Sequence, residues 1–528
     1  MDNRYEKSST RTLMKASAFM MVMTLSSRIL GLVKNVAIAF LFGAGAEVDA
    51  FWLALMIPGI FAYLFATGAD NYIPIFSRNL IQKGRRKAIE AGNVIFTLYL
   101  GLIVIGTVVG ILAVPFLVRV VAPGFEEPMR RLAVYLTWVM MGMSFFLGLS
   151  QLGKAILYNE EKFYAPVLGG LFNNLVILAV MFFFYPKWGI FAAAAGISVG
   201  ASCQVLVQLP QLYGLRKNLR LMFKWRHPAV KEWAKLTFPL YLGRAGGYLN
   251  ASIDKIFASF LPVGAISALS YGFLIVELPT AIFSLSLLNA LFPRMSREAS
   301  KENSGEDRRI MQQSMRIIAL FLLPVMILMV LLRKSIVQII FEHGAFSSTA
   351  SEMTAVAILF YGLGLLAFGL NDVLVFGFNA HHNNIDSMKI GWVRVISNIV
   401  LNAVLVSSFG LAGLALATTL SGYIKLAILL VVYQRKYGRI LGTKWKPWFG
   451  KILFAAGTMG FTVTALQVGL QQRAFSGGIF TQIGFLTGAV GLGVLVFAGA
   501  AIFLRVEELV SVKQFAVRQL RVKVGFQE

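Results

Sequence analysis

Long apolar segments constrain this chain more than any other feature of its sequence. A helix needs about 20 apolar residues to cross the hydrocarbon core of a bilayer. Of the 528 residues, 57% are hydrophobic and only 14% are charged. Because lipid offers the backbone no hydrogen-bond partners, segments of this kind must form helices. We therefore predict an all-α polytopic membrane protein with fourteen transmembrane helices. The predicted spans lie near residues 13–42, 47–77, 91–121, 130–156, 163–185, 188–214, 233–261, 265–293, 310–332, 352–379, 387–408, 410–434, 448–470 and 479–504.

Positive residues are concentrated in alternate loops. The loops after even-numbered spans are rich in Lys and Arg, as at 83–87 and 216–235. Several loops after odd-numbered spans, such as 43–46 and 261–264, contain neither residue. Because cytoplasmic loops carry the excess of positive charge in membrane proteins, both termini are expected in the cytoplasm. This distribution accounts for most of the net charge of +25 without a nucleic-acid partner.

An internal repeat with an offset of about 220 residues divides the sequence. PIFSRN at 74–79 resembles PRMSRE at 293–298, and WGIFAAAAGIS at 188–198 is echoed by FGLAGLALATT at 409–419. A repeat of six spans keeps its orientation in the membrane, as in transporters whose cargo site lies between two parallel repeats. We predict two pseudo-symmetric six-helix lobes, a cytoplasmic linker, an appended helix pair and a basic cytoplasmic tail. These segments are the N-lobe at 1–215, the linker at 216–232, the C-lobe at 233–436, the pair at 437–505 and the tail at 506–528.

Residues for enzymatic chemistry are scarce in this sequence. We find no hydrolytic constellation and no Walker A motif, so neither an enzyme nor an ATP-driven pump is expected. The single cysteine, Cys203, excludes an intrachain disulfide and makes a cysteine-based metal site implausible. The pair His381–His382 falls in a predicted cytoplasmic loop, and a metal site there is a less favoured alternative to an ordinary loop.

Cations inside the apolar spans are the most informative residues. Arg28 and Lys34 lie six positions apart in span 1 and can line one broad helix face. A charge at the centre of a membrane helix costs about 2.5–3.5 kcal/mol on insertion scales, so such charges usually face a watery cavity. Arg244 in span 7 adds a third cation, unless it reaches the cytoplasmic surface from its helix end. Together these side chains could bind a phosphate or pyrophosphate through charge-assisted hydrogen bonds.

Two further sets of polar residues have roles that the sequence leaves open. Asp49 opens span 2, where a carboxylate could cap the helix or act in a gate. Arg394 and Lys425 could lie at membrane depth or near a helix end. Asp254, with three neutral side chains, could converge on a monovalent cation such as Na⁺ or form only interhelical hydrogen bonds. The three neutral residues are Asn398, Asn402 and Thr418.

Two blocks of sequence resemble the MviN/MurJ family of lipid II flippases, within the multidrug/oligosaccharidyl-lipid/polysaccharide flippase superfamily. SRILGLVKNVAIAFLFGAGAEVDAFWLA at 27–54 is similar to the first helix pair of that family, and FATGA at 65–69 continues it. ELPTAIFSLSLLNALFPRMSRE at 277–298 is similar to its eighth helix. The resemblance extends over nearly the whole chain, including the last two spans.

The resemblance implies a function, a location and a set of site residues. It implies a twelve-helix core with two further helices in the bacterial cytoplasmic membrane, and transport by alternating access. We also expect the chain to act as a monomer. The implied cargo is an undecaprenyl-pyrophosphate-linked peptidoglycan precursor, and Na⁺ is the implied coupling ion, with no other cofactor. Cavity residues by this match are Ser27, Arg28 and Lys34, with Arg244 as a further candidate; gate residues are Asp49 and Glu277; the Na⁺ ligands are Asp254, Asn398, Asn402 and Thr418.

Two departures from the family pattern keep other cargoes open. The family usually has an arginine pair where this chain has Ala62 and Tyr63, and another arginine where it has Leu274. Arg244 is a candidate replacement for these cations. Otherwise the cargo would be another polyprenyl-linked polysaccharide intermediate. A cation-coupled drug exporter is disfavoured by the basic cavity residues and by the number of spans, and a membrane scaffold would leave Arg28 and Lys34 as unexplained costs.

Overall fold

The structure, a computed structural model, describes residues 2–216, 218–299, 301, 305–443, 445–475 and 478–508. Within these ranges every regular element is helical, which confirms the predicted all-α class. A π-helical turn at Thr280–Ser284 joins the ninth and tenth helices. The helices are α1 (Asp2–Phe42), α2 (Ala46–Ala54), α3 (Met56–Asp70), α4 (Tyr72–Val121), α5 (Glu127–Asn159), α6 (Tyr164–Trp188), α7 (Ile190–Tyr213), α8 (Pro228–Ala258), α9 (Ala265–Pro279), α10 (Leu285–Ala299), α11 (Glu306–Ile340), α12 (Ser348–Leu363), α13 (Leu365–Ala380), α14 (Asn384–Tyr437), α15 (Trp445–Phe475) and α16 (Ile479–Phe503).

Most of these helices are long and apolar enough to cross a membrane. Among the described residues ten helices meet that test, or eleven if the pair α12–α13, bent by 44°, counts as one span. The polytopic class is therefore confirmed, while the number fourteen stays a prediction. The predicted tail at 506–528 lies outside the described residues from position 509 onward.

Two of the longest helices are broken at a glycine. Gly84 in α4 has φ 79° and Gly410 in α14 has φ 53°, a backbone region that favours glycine because it has no Cβ. The predicted boundary between the spans 387–408 and 410–434 is thus a one-residue break inside a helix of 54 residues. The basic segment 83–87 is helical on both sides of Gly84, since Lys and Arg are good helix formers.

The predicted second span is also interrupted, between α2 and α3 at Leu55. Pro58 has no N–H, so the carbonyl of Ala54 loses its usual helical donor. Other helices supply donors to carbonyls around this break. Thr137 Oγ1 lies 3.4 Å from Ala54 O, and Lys255 Nζ lies 3.3 Å from Trp52 O. Side chains of neighbouring helices therefore compensate for the proline, as membrane interiors require.

Contacts divide the chain into two compact units. Unit 1 comprises Met1–Ser267 with His343–Ser347, and unit 2 comprises Ala268–Glu342 with Ser348–Glu528. This division differs from the predicted lobes, which follow the internal repeat and stay a prediction.

Helix α8 belongs to unit 1 because its polar side chains bond to α3 and the residue after it. Trp233 Nε1 donates to Gly68 O at 2.9 Å, and Thr237 Oγ1 accepts from Asn71 Nδ2 at 2.8 Å. The segment before α8 is attached to α4 by an ion pair of 2.7 Å between Lys224 Nζ and Glu90. The predicted linker is therefore a packed part of unit 1.

Unit 2 packs around α11. Helix α13 approaches it at Gly369, where an added Cβ would lie 2.1 Å from Leu322 Cδ1. Helices α15 and α16 pack on α11 as well, with Gln467 Nε2 donating to Leu331 O at 3.1 Å. Arg316 of α11 forms a 3.1 Å ion pair with Glu507, immediately after α16. The appended helix pair is thus an integral part of unit 2.

Candidate functional site

Ser27 lies where α1 packs on α6. The amide of Asn174 donates to the Ser27 carbonyl oxygen at 3.0 Å and lies 3.3 Å from its hydroxyl. One turn further along α1, Gly31 faces the same asparagine. These contacts set the position of α1 at the residue before the first candidate cation, Arg28.

The two cations of α1 are accessible within unit 1. Arg28 is exposed and Lys34 is half-buried, whereas Ala37, Ile38 and Ala39 are buried. Neither cation has an ion-pair partner among the described residues. A cation at membrane depth without a carboxylate partner needs water or an anionic ligand. This is the property that the predicted cavity requires, although the cavity assignment itself stays a prediction.

Helix packing occupies the positions where the family pattern has an arginine pair. Ala62 is buried, and the Tyr63 ring lies 5.5 Å from the ring of Tyr248 in α8. Tyr248 also donates to Met56 O at 3.2 Å and lies against Gly59, where an added Cβ would be 1.8 Å from the Tyr248 hydroxyl oxygen. An aromatic contact between α3 and α8 therefore occupies the Tyr63 position, and a small buried residue occupies the Ala62 position. The side chain of the proposed replacement, Arg244, lies outside the described side chains.

The carboxylate of Asp49 is bound to the first turn of α9. Its Oδ2 accepts from Gly264 N at 2.6 Å, and its Oδ1 accepts from Ser267 N at 2.7 Å and Ser267 Oγ at 2.5 Å. Asp49 is only 2% exposed. The first N–H groups of a helix have no intrahelical partner, and a carboxylate stabilises them by charge as well as by hydrogen bonding. Asp49 thus caps α9, whereas its own helix has Gly45 as its N-cap and no side-chain cap.

A short strap at 343–347 lies at the same end of unit 1. Ala345 N donates to Phe40 O at 2.9 Å. Gly344 (φ 62°) and Gly43 (φ 70°) allow this approach, because an added Cβ would lie 2.3 Å from Phe40 O or 2.4 Å from Ala345 O, respectively. We did not predict this contact from the sequence, and its only signal there is the glycine in the short loop His343–Ser347.

A cavity of about 490 Å³ opens beside Asp49 in unit 1. Its wall combines the start of α2, the loop before α5 and the end of α8. Gly124 of that loop touches α8, since an added Cβ would lie 2.3 Å from Ser259 O. The lining carries two exposed acids, Glu47 and Glu126, beside buried Asp49. The Asp49 clamp, defined as Asp49 with Gly264 and Ser267, therefore borders an open acidic cavity.

The second predicted gate residue, Glu277, lies in unit 2 and is exposed. It precedes the π-helical turn, and its carbonyl accepts from Thr280 Oγ1 at 2.7 Å. Its carboxylate interacts electrostatically with Asp372 of α13. Leu274, at the position of a family arginine, is half-buried one turn earlier. The structure thus brings Glu277 to an acidic neighbour that we did not predict from the sequence.

Three of the four predicted Na⁺ ligands lie together in unit 2. Asn398 Nδ2 donates to Thr418 Oγ1 at 3.1 Å, and Asn402 Nδ2 donates to Asn398 Oδ1 at 3.3 Å. The exposed fractions of Asn398, Asn402 and Thr418 are 0%, 0% and 2%. Their neutral oxygens suit a hard monovalent cation, although these bonds would have to rearrange around an ion. The fourth residue, Asp254, is buried in unit 1, and the Na⁺ site stays a prediction.

The loop that contains His381 and His382 holds an ion pair and an aromatic stack instead of a metal site. His381 Nε2 lies 3.4 Å from Asp307 Oδ2, and its ring stacks on Tyr437 with centroids 3.9 Å apart. Burial lowers the pKa of His381 below its usual value, although the nearby Asp307 acts in the opposite direction. No group of three or more His, Cys, Asp or Glu able to hold a metal occurs among the residues that the structure describes.

Comparison with known proteins gives consistent matches along the chain. A sequence model of the family "Lipid II flippase MurJ" matches residues 38–486. The "Probable lipid II flippase MurJ" of Vibrio cholerae is 28% identical over 515 residues, covering 95% of this chain and 98% of that protein. The protein of the same description from Buchnera aphidicola subsp. Baizongia pistaciae is 30% identical over 459 residues, covering 85% of this chain and 88% of that protein.

Solved structures match the fold. A lipid II flippase MurJ in an inward closed conformation superposes with a TM-score of 0.77 and 22% identity, covering 92% of this chain and 99% of that one. An inward-facing multidrug resistance MATE family transporter of the MOP superfamily gives a TM-score of 0.62 at 14% identity, covering 80% of this chain and 99% of that one. At these identities the two matches establish the fold alone.

Proposed function

We propose that this chain, which belongs to the lipid II flippase MurJ family, moves lipid II from the inner to the outer leaflet of the bacterial cytoplasmic membrane. The observation that carries the proposal is the family match over residues 38–486. Its relatives named as probable lipid II flippases cover nearly the full length of both chains. The cargo is an undecaprenyl-pyrophosphate-linked peptidoglycan precursor, and the chain acts as a transporter rather than as an enzyme.

The cations of α1 attract the pyrophosphate head group from the cytoplasmic side. Arg28 offers a planar fork of donors and Lys34 a compact charge, both suited to phosphate oxygens. The absence of an ion-pair partner for either, among the described residues, supports this role. The prenyl chain remains in lipid throughout, because moving it into water would cost about 0.8 kcal/mol per CH₂ group.

The membrane potential favours outward movement of the negatively charged head group. With the cytoplasm negative, each negative charge that moves outward gains about 2.3 kcal/mol per 100 mV. Cations of the protein that move with the cargo reduce that gain. Na⁺ bound by Asp254 and by the oxygens around Asn398 would reset the empty carrier if it binds one conformation better than the other.

The Asp49 clamp closes one end of unit 1 in this mechanism. By the predicted topology this end faces outward, because the loops at 43–46 and 261–264 carry no positive charge. The buried, threefold hydrogen-bonded carboxylate supports a gate that opens when Asp49 leaves the first turn of α9. Glu277 is the corresponding gate residue of unit 2.

Helix lengths support fourteen spans with both termini in the cytoplasm. A straight helix of 54 residues would be about 80 Å long, against a hydrocarbon core of about 30 Å. α14 therefore crosses twice, with the turn at Gly410, and the continuous stretch Ala46–Val121 crosses twice about Gly84. Adding these crossings, α8 and the bent pair α12–α13 to the remaining spans gives fourteen. We further propose that the chain acts as a monomer with membrane lipids as its only other partners.

A complementation experiment tests the cargo. Cells depleted of their own lipid II flippase should regain growth and outward exposure of lipid II when this chain is expressed. Arg28→Ala and Lys34→Ala should each abolish rescue, while Arg86→Ala, which removes an exposed cation outside the proposed site, should not. Normal rescue by both Arg28→Ala and Lys34→Ala would contradict the cavity assignment.

Another polyprenyl-linked glycan is the second candidate cargo. The observation that favours it is the tyrosine contact between Tyr63 and Tyr248 at the position of the family's arginine pair. Failure of the wild-type chain to restore lipid II exposure, with normal membrane insertion, would support that alternative.

A further inference from the structure

Three charged side chains of unit 2 lie at similar distances from one end of their helices. Asp372 is eight residues from the end of α13, Arg394 ten residues into α14, and Lys425 twelve residues from its end. At 1.5 Å per residue these offsets correspond to about 12, 15 and 18 Å. The three helix ends are level, because Asn383 Nδ2, in the turn after α13, donates to the Tyr437 hydroxyl at 3.0 Å. All three charges therefore lie well inside the predicted spans 352–379, 387–408 and 410–434.

The three side chains form one electrostatic cluster. Asp372 interacts with both Lys425 and Arg394, and the two cations are close enough to repel each other. Glu277 also interacts with Asp372, and this interaction is repulsive. All three residues of the cluster are half-buried. Two mutually repelling cations thus both attract the carboxylate of Asp372, which itself has a repelling neighbour.

The scaffold beneath the cluster is tightly packed. The guanidinium of Arg394 lies 5.5 Å from the centre of the Phe368 ring, within the range of a cation–π interaction. Phe368 in turn lies against Gly422, where an added Cβ would be 2.7 Å from its ring. Asn371 Nδ2 donates to Gly422 O at 3.0 Å. The two halves of α14, which carry Arg394 and Lys425 on either side of Gly410, are therefore held in place around α13.

We propose that Arg394 and Lys425 form an anion site for a pyrophosphate group, with Asp372 as a built-in counterion that the pyrophosphate displaces. A dianion removes the repulsion between the two cations, which a single carboxylate only partly offsets. The Arg394 guanidinium is pre-oriented on Phe368 for bidentate binding of phosphate oxygens. Repulsion from Glu277 makes Asp372 easy to displace.

This inference rests on the proposed function and deepens it. It assigns cations of unit 2 to the pyrophosphate of the lipid-linked cargo, in a chain that lacks family arginines at Ala62, Tyr63 and Leu274. When no cargo is bound, Asp372 lowers the cost of keeping two cations at membrane depth.

Binding to the purified full-length protein tests the site. The probes are farnesyl pyrophosphate and inorganic pyrophosphate, titrated into protein in lipid nanodiscs. Arg394→Gln and Lys425→Met should each weaken binding of farnesyl pyrophosphate by about tenfold or more. Asp372→Asn should tighten it, because the competing carboxylate is gone. Lys389→Met, which removes an exposed cation at the start of the same helix, should leave binding unchanged.

In a binding site the acid variant should bind the probe more tightly and the cation variants more weakly. In a purely structural ion cluster all three variants should weaken binding. Weaker binding by Asp372→Asn, in parallel with the cation variants, would overturn the proposal. Wild-type affinity of Arg394→Gln and Lys425→Met would overturn it as well. If Arg394→Gln does not fold, Arg394→Lys keeps the charge and should still lose affinity, because the bidentate geometry is lost. Equal affinity for both probes would overturn the lipid-linked nature of the ligand.

The outcome can be distinguished from failure of the proposed function. Restored lipid II exposure by the wild-type chain, with unaltered binding by the cation variants, would remove only this site. Binding of farnesyl pyrophosphate that depends on Arg394 and Lys425, in a chain that does not restore lipid II exposure, would support the site and remove only the lipid II cargo.

Discussion

Substitution of Asp49 by asparagine should open the end of unit 1 that the Asp49 clamp closes. The carboxylate accepts three hydrogen bonds from Gly264 and Ser267 while being 2% exposed. Asparagine has nearly the same shape but only one acceptor oxygen. With that oxygen toward Ser267, its NH₂ group would face the N–H of Gly264, donor against donor.

The expected cost follows from this geometry. One charge-assisted hydrogen bond, worth about 1.5–3 kcal/mol, is lost, and the N–H of Gly264 is left without an acceptor. The remaining bonds to Ser267 weaken because the charge is gone, but they persist. We expect the closed form to lose about 2–3 kcal/mol in total, which corresponds to a roughly 30- to 150-fold larger open fraction.

Cysteine accessibility measures that fraction. Val48, adjacent to Asp49, is fully buried, and Cys203 is the only native cysteine. In a Cys203→Ser background, the labelling rate of Val48→Cys by a membrane-impermeant maleimide should rise about 30- to 150-fold with Asp49→Asn. Glu47→Gln is the matched control, because it neutralises an exposed acid two residues away.

Equal labelling rates with and without the Asp49→Asn substitution would refute the reasoning, since the clamp would then contribute nothing to closure. The increase in labelling rate caused by Ser267→Ala can be compared with the increase caused by Asp49→Asn. It removes the hydroxyl donor but keeps both N–H donors, so a smaller increase than that of Asp49→Asn is expected. A larger increase would assign the closure to Ser267 rather than to the carboxylate.

Three further predictions concern other parts of the chain. Gly344→Ala should destabilise the strap by at least about 1–2 kcal/mol, because a Cβ is strained at a φ of 62° and would also clash with a backbone carbonyl. Faster maleimide labelling of Val48→Cys measures this loss. The control Gly45→Ala, whose Cβ would meet no atom within 4 Å, should leave the labelling rate unchanged. Burial lowers the pKa of His381, so the protein should lose stability as the pH falls through about 6.5 and below, where the unfolded chain binds the proton more readily. The difference between the unfolding temperatures at pH 8 and pH 5.5 should therefore be smaller in His381→Gln than in the wild-type protein. In the control His343→Gln this difference should equal that of the wild-type protein. Asp254→Asn should abolish any Na⁺ stimulation of transport, whereas unchanged Na⁺ dependence would contradict the predicted ion site.

Local patterns predict some helices closely. The predicted span 14 covers 479–504 and α16 is Ile479–Phe503, while the predicted span 9 at 310–332 lies inside α11. Membrane insertion depends on the hydrophobicity of consecutive residues, and this information is contained in a short window of sequence. Breaks inside spans are harder to predict from the sequence. The π-helical turn at Thr280–Ser284 and the interruption at Leu55 depend on how neighbouring helices satisfy displaced carbonyls.

The candidate site shows the same distinction. Arg28, Lys34 and Asp49 can be singled out from the sequence because charges in apolar segments are costly. The partners of Asp49 cannot, since Gly264 and Ser267 are 215 and 218 positions away. Similarly, the sequence marks Arg394 and Lys425 as cations without fixing their depth, and only the structure shows that Asp372 interacts with both.

Helical class, membrane insertion and the identity of the cations inside apolar spans follow from composition and periodicity, because each depends on neighbours within one helix. The acid near Arg394 and Lys425, the helix end that Asp49 caps and the aromatic contact of Tyr63 follow only from tertiary packing. Those contacts depend on helix rotation, depth and crossing angle, and residues hundreds of positions apart determine these quantities together.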